Sequence, residues 1–402
     1  MNKLGDYLLF SNGKTSPKRI DNGAYPVFGA NGIIGYSNEY NAEEGTIVIG
    51  RVGSYCGSVH YSSKKCWITD NAIICNTKKI TDSLFWFYFL KNLNLNTMRS
   101  GSGQPLLNQS ILKSIEVNEI NELNKRIEIG KFLSNFDQKI HLNTQTNQTL
   151  EAIAQAIFKS WFVDFDPVRA KTAALSEGKS EHEANLAAMS VICGKDTSEL
   201  NDTEYKALWQ IAEAFPSELV ENEQFGEVPK GWEVKKVGDI IQRLKNPQKL
   251  KKEHISNLGK TPVFEQGTSI LMGYSDENAS QNASKDEPIF IFGDHTCITH
   301  ISTTPFSIYQ NVIPLKGSNL PTYWVYWAIK GKLEFQEYRR HYMELIIKEV
   351  VIPNNITLCQ FFSKLTSPIH QKIDFFREEN RNLSQTRDLL LPKLLSGELL
   401  NE

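Results

Sequence analysis

The sequence predicts an α+β fold laid down twice in one chain. Two mixed α/β domains are separated by an antiparallel two-helix coiled-coil spacer, an internal duplication of pseudo-twofold character. Three observations predict it. Short strings recur in one order at a nearly constant offset; the first part of each repeat alternates β-rich runs with Gly/Asn/Ser turns; and each repeat closes on an unbroken heptad pattern.

The repeat is read from seven matches. Leu4-Gly5-Asp6-Tyr7 returns as Val237-Gly238-Asp239-Ile240, Pro26-Val27-Phe28 as Pro262-Val263-Phe264, and Gly35-Tyr36-Ser37 as Gly273-Tyr274-Ser275. Ile47–Gly50 matches Phe290–Gly293, Asn71-Ala72-Ile73 matches Asn311-Val312-Ile313, and Phe85-Trp86-Phe87-Tyr88 matches Tyr323-Trp324-Val325-Tyr326. Gln138-Lys139-Ile140 equals Gln371-Lys372-Ile373, and the first and last matches share an offset of 233.

Within each repeat, Thr46–Ile49 and Ala72–Cys75, then Ile289–Phe292 and Val312–Leu315, read as strands, because β-branched and aromatic residues are bounded by turn residues. Ser83–Leu93 and Pro321–Ile329 read as aromatic helices packed into the domain cores rather than as base-stacking platforms. The heptad series of the first long helix is Ile129, Leu133, Phe136, Ile140, Asn143, Asn147, Leu150, Ala154, Ile157 and Trp161. That of the second is Phe362, Thr366, Ile369, Ile373, Phe376, Asn380, Leu383, Arg387, Leu390 and Leu394. Asn147 and Asn380 take equivalent seam positions, where a polar residue fixes register at some cost in stability. Pro368 stands near the expected start of the second helix, which it either kinks or initiates. The resulting division is 1–126, first domain; 127–166, first helix; 167–235, connector; 236–356, second domain; and 357–402, second helix. Two amphipathic helical segments are expected in the connector, Glu183–Ile192 and Asn201–Phe215.

Composition narrows the function. The chain of 402 residues has no apolar stretch long enough to span a membrane and no signal-peptide shape at its N-terminus. Its six cysteines show neither a CxxC pair nor framework spacing, which reads as reduced thiols in a cytoplasmic protein. Residues 1–126 carry 14 Lys/Arg against 10 Asp/Glu, a net of +4, and residues 236–356 carry 14 against 12, a net of +2. Residues 169–235 carry 7 against 13, a net of −6. Two mildly basic domains flanking an acidic connector suit two nucleic-acid contacts.

Catalytic patterns fail when tested. Gly13-Lys14-Thr15, Gly178-Lys179-Ser180 and Gly259-Lys260-Thr261 resemble the end of a phosphate loop, but the required upstream glycine is replaced by Leu8, Ala173 and His254. Asn246-Pro247-Gln248-Lys249 does not meet the Asn/Asp-Pro-Pro-aromatic pattern of an amino methyltransferase, and no His pair has zinc-ligand spacing. The chain reads as a binder rather than a catalyst.

Three strings carry a family resemblance. Trp161-Phe162-Val163-Asp164-Phe165-Asp166-Pro167-Val168-Arg169 closes the first helix, Gly231-Trp232 with Val237-Gly238-Asp239-Ile240 opens the second repeat, and Leu391-Pro392-Lys393-Leu394-Leu395-Ser396-Gly397-Glu398 closes the second helix. In this duplicated frame the chain resembles the specificity (S) subunits of type I restriction-modification enzymes. The resemblance implies a non-catalytic subunit whose two target-recognition domains each read one half of a split, asymmetric site in double-stranded DNA. It implies two methyltransferase (M) subunits docked on the helices and restriction/translocase (R) subunits joining them. No cofactor is expected in this chain; S-adenosylmethionine, ATP and Mg would belong to the partners. The alternative within the same family is a degenerate or regulatory coiled-coil scaffold that no longer reads DNA.

Major-groove reading favours Arg for guanine and Asn/Gln for adenine. On that ground the first domain's candidates are Arg99, Ser100, Ser102 and Gln104 of a Gly-rich loop, together with Arg51, Lys64 and Lys65. The second domain offers Lys245, Lys249, His295, Arg339, Arg340 and His341, without the Gly-rich stretch. Each of these also suits a solvated surface. The spacer seam is expected to rest on Phe136, Ile140, Asn147, Leu150, Ile157, Ile369, Ile373, Asn380, Leu383 and Leu390. Trp161, Phe162, Phe165, Leu391, Leu394 and Leu395 suit a docking surface for M subunits, helix-end packing within the chain, or both.

Overall fold

Five-residue runs in which every side chain is apolar, glycine or a small hydroxyl form strands covered on both faces. Thr46–Gly50 and Ile289–Gly293 are such runs, and all ten residues are buried. The structure is a computed structural model that describes residues 2–98, 106–117, 122–246, 250–267, 269–335, 337, 339–396 and 398. In chain order it forms β1 (Leu8–Asn12), β2 (Tyr25–Gly29), β3 (Gly32–Ser37), β4 (Thr46–Gly50), β5 (Val59–Ser62), β6 (Trp67–Ile68), β7 (Ala72–Thr77), α1 (Ser83–Asn92) and α2 (Leu123–Phe162). The connector holds α3 (Asp166–Ser176), α4 (Glu181–Cys193) and α5 (Asp202–Ala214). The second repeat follows with β8 (Ile241–Arg243), β9 (Thr261–Phe264), β10 (Leu271–Ser275), β11 (Ile289–Gly293), β12 (Thr299–Ser302), β13 (Ser307–Ile308), β14 (Val312–Gly317), α6 (Thr322–Ile329) and α7 (Ile356–Leu395).

The duplication is one of topology, strand for strand. The first repeat has a four-stranded sheet in the order β1-β7-β4-β5 and a three-stranded sheet β3-β2-β6; the second has β8-β14-β11-β12 and β10-β9-β13. Register matches as well. Val27 opposes Gly35 and Pro26 opposes Tyr36, as Val263 opposes Gly273 and Pro262 opposes Tyr274. A bulge falls between Val27 and Phe28 and again between Val263 and Phe264, and parallel pairs follow at Val27–Trp67 and Val263–Ser307. The recurring strings therefore mark equivalent ladder positions.

The chain divides into two compact units, Met1–Asn143 with Glu379–Glu402, and Thr144–Glu378. Each takes one stretch of α2 and one of α7. In the first unit Asn143 Nδ2 donates to Glu379 Oε2 at 2.6 Å and Asn380 Oδ1 at 2.9 Å, while Asp137 pairs with Arg387, so the two stretches run antiparallel. In the second, Asn147 Nδ2 donates to the Ile373 carbonyl at 3.3 Å and Phe158 packs edge-on against Phe362, again antiparallel. All twenty heptad positions are buried or half-buried. Asn380 and Asn147, equivalent by sequence, thus have different partners, a side-chain amide in one unit and a backbone carbonyl in the other.

The first unit's core joins Ile47, Ile49, Phe85, Trp86 and Tyr88 to Ile129 and Leu133 of α2 and Leu391 and Leu395 of α7. The second joins Phe290, Trp324 and Tyr326 to Trp161 and Phe162 of α2 and Phe362 of α7. Burial of Phe85, Trp86, Tyr88 and Trp324 agrees with core helices rather than stacking platforms. Gly130 lets α2 approach α1 closely, since a Cβ there would stand 2.6 Å from the Phe85 nitrogen.

Two details depart from the sequence expectation. Both long helices span 40 residues; α2 starts at Leu123, before the expected boundary at 127, and α7 starts at Ile356, next to the expected 357, so that Pro368 lies well inside α7, where it removes one ladder hydrogen bond without ending the helix. The connector has a third helix, α3, before the two expected. The chain leaves α2 through Phe165 in the left-handed region (φ 59°), and Pro167 then supplies the preset φ that opens α3. Each 40-residue helix contributes to both units.

Candidate nucleic-acid interface

In each unit the central strand ends at a glycine, Gly50 or Gly293, and the chain turns across the tip of the sheet. Arg51 follows Gly50; its N–H donates to the Asn71 carbonyl at 2.9 Å and its carbonyl accepts from Leu107 N–H at 3.0 Å. Asp294 follows Gly293; its N–H donates to the Asn311 carbonyl at 2.9 Å and its carbonyl accepts from His341 N–H at 2.8 Å. The two backbones are therefore equivalent while the side chains carry opposite charge. Gly57 (φ 88°) and Cys297 (φ 58°) close the same turn, donating to the carbonyls of Gly50 and Gly293.

At the first tip, Arg51 Nη1 lies 3.4 Å from the Asp70 carbonyl, and a bridge from Val52 to Leu106 fixes the segment that follows residues 99–105. Arg99, Ser100, Ser102 and Gln104 lie outside the described residues, as does Lys249. Lys64 and Lys65 do not join this tip. They sit beyond Ser62, which pairs with Thr46 at the other end of β4, about 13 Å along the strand. Lys65 is engaged there by Glu43 at 3.3 Å and donates to Tyr40 Oη at 3.2 Å, and these partners raise its pKa, the Tyr40 hydrogen bond first.

At the second tip the structure brings Arg339 and Arg340 near Asp294, with His295 next to it in the chain. Lys245 is exposed just past β8. His295 N–H donates to Gln266 Oε1 at 3.0 Å. Arg339 is held by Glu337 at 2.5 Å and by Glu344. Arg340, with 80% of its side chain exposed, has its Nε 3.9 Å from Asp294 Oδ2. His341 is a correction. It is 1% exposed, with Nδ1 3.2 Å from Glu344 and Nε2 3.0 Å from the Glu337 carbonyl, so its ring is used up inside the unit and cannot reach a base edge. Asp294 itself was not singled out by sequence, although the Ile47–Gly50 and Phe290–Gly293 match places it opposite Arg51. Arg243 was also missed; it is exposed, with its guanidinium 5.3 Å from the centre of the Tyr342 ring.

Polar bonds hold each domain on its helix. In the first unit Tyr88 Oη donates to Asp137 Oδ2 at 2.6 Å, and Arg126 Nε meets buried Asp82 at 2.8 Å. In the second, Asp374 Oδ2 accepts from Thr303 N–H at 2.7 Å and Oγ1 at 2.6 Å, and Trp327 Nε1 donates to His370 Nε2 at 3.1 Å. Burial, with Lys330 and Arg377 nearby, depresses His370 to about 3, so it accepts as a neutral ring.

Of the two roles expected for the helix-end residues, packing within the chain is the one observed. Trp161, Phe162 and Phe165 are buried in the second unit's core, and Leu391 and Leu395 in the first's, with Leu394 partly buried against it. Their apolar surface is already spent on helix-end packing. Exposed apolar residues stand elsewhere on the helices, and in a repeated pattern: Phe132 and Leu142 on α2 (46% and 57% exposed) match Leu365 and Phe375 on α7 (45% and 56%), each pair at the offset of 233.

The sequence profile described as the type I restriction modification DNA specificity domain matches residues 1–152. The chain is 33% identical over 338 residues to the type I restriction enzyme HindI specificity subunit of Haemophilus influenzae, covering 75% of this chain and 72% of that one. The chain belongs to the type I specificity-subunit family. It is 24% identical to the MjaIX specificity subunit of Methanocaldococcus jannaschii over 80% of this chain and 69% of the relative. The crystal structure of a type I S subunit from M. genitalium has the same fold, with a TM-score of 0.58, 19% identity and coverage of 98% and 95%. As a specificity subunit the chain recognises DNA sequence and is not the catalytic component. Among the described residues no group of three or more His, Cys, Asp or Glu could hold a metal ion, and no helix is long and apolar enough to cross a membrane.

Proposed function

We propose that this specificity subunit reads a bipartite, asymmetric site in double-stranded DNA, one half with residues 1–126 and the other with residues 236–356. The observation that carries this reading is the pair of equivalent tips with unlike side chains, Arg51 in one and Asp294 beside Arg340 in the other. One backbone used twice with different functional groups suits two half-sites of different sequence, because base edges are told apart by their donor and acceptor patterns. On this reading Arg51, Lys245, His295 and Arg340 meet DNA, while Arg339 is held by Glu337 and Glu344.

Two M subunits dock on the helices, and R subunits join that assembly. Support comes from the matched apolar pairs Phe132/Leu142 and Leu365/Phe375: a duplicated surface suits two copies of one partner. Such partners would supply many of the phosphate contacts that a chain of net charge −2 lacks, and they would bring S-adenosylmethionine, ATP and Mg.

The test is to co-express the chain with its M subunit and map methylated adenines in host DNA. A single split consensus, absent without this chain, is expected. Methylation without a split consensus would overturn the proposal.

A further inference from the structure

The second tip holds three charged groups whose geometry separates their roles. Arg339 is neutralised on both sides by Glu337 and Glu344. Asp294 is largely buried; its Oδ1 accepts the Tyr342 N–H at 3.0 Å and its Oδ2 faces Arg340 Nε at 3.9 Å. Arg340 has 80% of its side chain exposed, and the guanidinium nitrogen paired with that carboxylate is Nε, 3.9 Å away. A guanidinium steadied through Nε presents two parallel N–H donors, and guanine is the base that offers two adjacent acceptors, O6 and N7, in the major groove.

We propose that Arg340 reads a guanine in the half-site bound by the second recognition domain, and that Asp294 is its positioning residue. This rests on the reading of the second domain as a DNA-recognition head and adds the base class and the side chain to it. Asp294 is suited to the task because its own place is over-determined: backbone bonds to Asn311 and His341 and the side-chain bond to Tyr342 fix it at the end of β11. In the first head the equivalent position is itself an arginine, so the two heads present a guanidinium from different points of one scaffold.

The experiment uses the full chain assembled with its M subunits and compares methylation of duplexes that carry the consensus or single-position changes. Arg340→Lys keeps the charge and loses the fork; Asp294→Asn keeps an oxygen for the Tyr342 N–H and loses the carboxylate charge. Both are expected to lower discrimination at one G·C pair of the second half-site by about five- to a hundred-fold, with the first half-site unchanged. Asp294→Asn should relax that same pair, an outcome that a merely structural role would not single out. Equal weakening on every duplex, with a shallower salt dependence, would show a phosphate contact and overturn the proposal. Unchanged discrimination in Arg340→Lys would overturn it too. In both cases a wild-type complex that still selects one split sequence would leave the recognition reading standing.

Discussion

Arg126 and His370 show how single buried polar groups hold a recognition domain to a helix, and each yields a measurable consequence. Arg126 meets Asp82 at 2.8 Å with both side chains nearly covered, and Trp86 Nε1 donates to the same carboxylate oxygen at 3.1 Å. Removing the guanidinium strands a buried carboxylate, so Arg126→Met is expected to cost about 3–5 kcal/mol, read as a shift in the denaturant midpoint of the full chain. His370 responds to pH. Its folded pKa of about 3 lies below the unfolded value near 6.5, so the unfolded chain binds the extra proton between those limits. Stability is fully present above pH 6.5 and falls as pH drops toward 3, by roughly 2 kcal/mol from this ring at pH 5. His300, depressed by burial and then Arg377, adds in the same direction. Unfolding curves at pH 7 and pH 5 test the sign, and His370→Gln should flatten the difference.

At the scale of the element, the heptad pattern was legible because it is local: side chains at positions a and d share one helix face whatever they later meet. The strands were legible for a like reason, since Thr46–Gly50 and Ile289–Gly293 have no polar face to present to water. Element ends were harder to read. Phe165 in the left-handed region separates α2 from α3, and that conformation has no periodic signature in the residues before it. The faces that α2 and α7 leave exposed carry their own prediction. Phe132→Ser with Leu142→Ser should lose one M subunit per complex and leave the other, as should Leu365→Ser with Phe375→Ser, observed as a change of stoichiometry by native mass measurement.

For the whole molecule, the proposed function makes each of the two duplicated domains a separable reader. Replacing residues 1–126 by the first domain of another specificity subunit should change one half of the methylated sequence and leave the other half intact. A change in both halves would mean that the domains do not read independently. The matching strand orders support such an exchange, because both domains are built on one topology.

The sequence by itself determined the duplication, the strand and helix types, the seam and the family. These follow from periodicity and short strings, which are properties of neighbouring residues. Only the tertiary structure decided which polar and aromatic residues are free to act. Trp161 and Phe162 look like a docking surface in the string that holds them, yet Phe362 and Trp324 cover them. His341 follows two arginines but is spent on Glu344 and the Glu337 carbonyl. Asp294 and Arg340, 46 residues apart, meet because β11 and β14 align the tip and the His341 N–H ties the later segment to Asp294. Burial and pairing depend on residues distant in the chain, and a linear pattern does not specify which of them arrive.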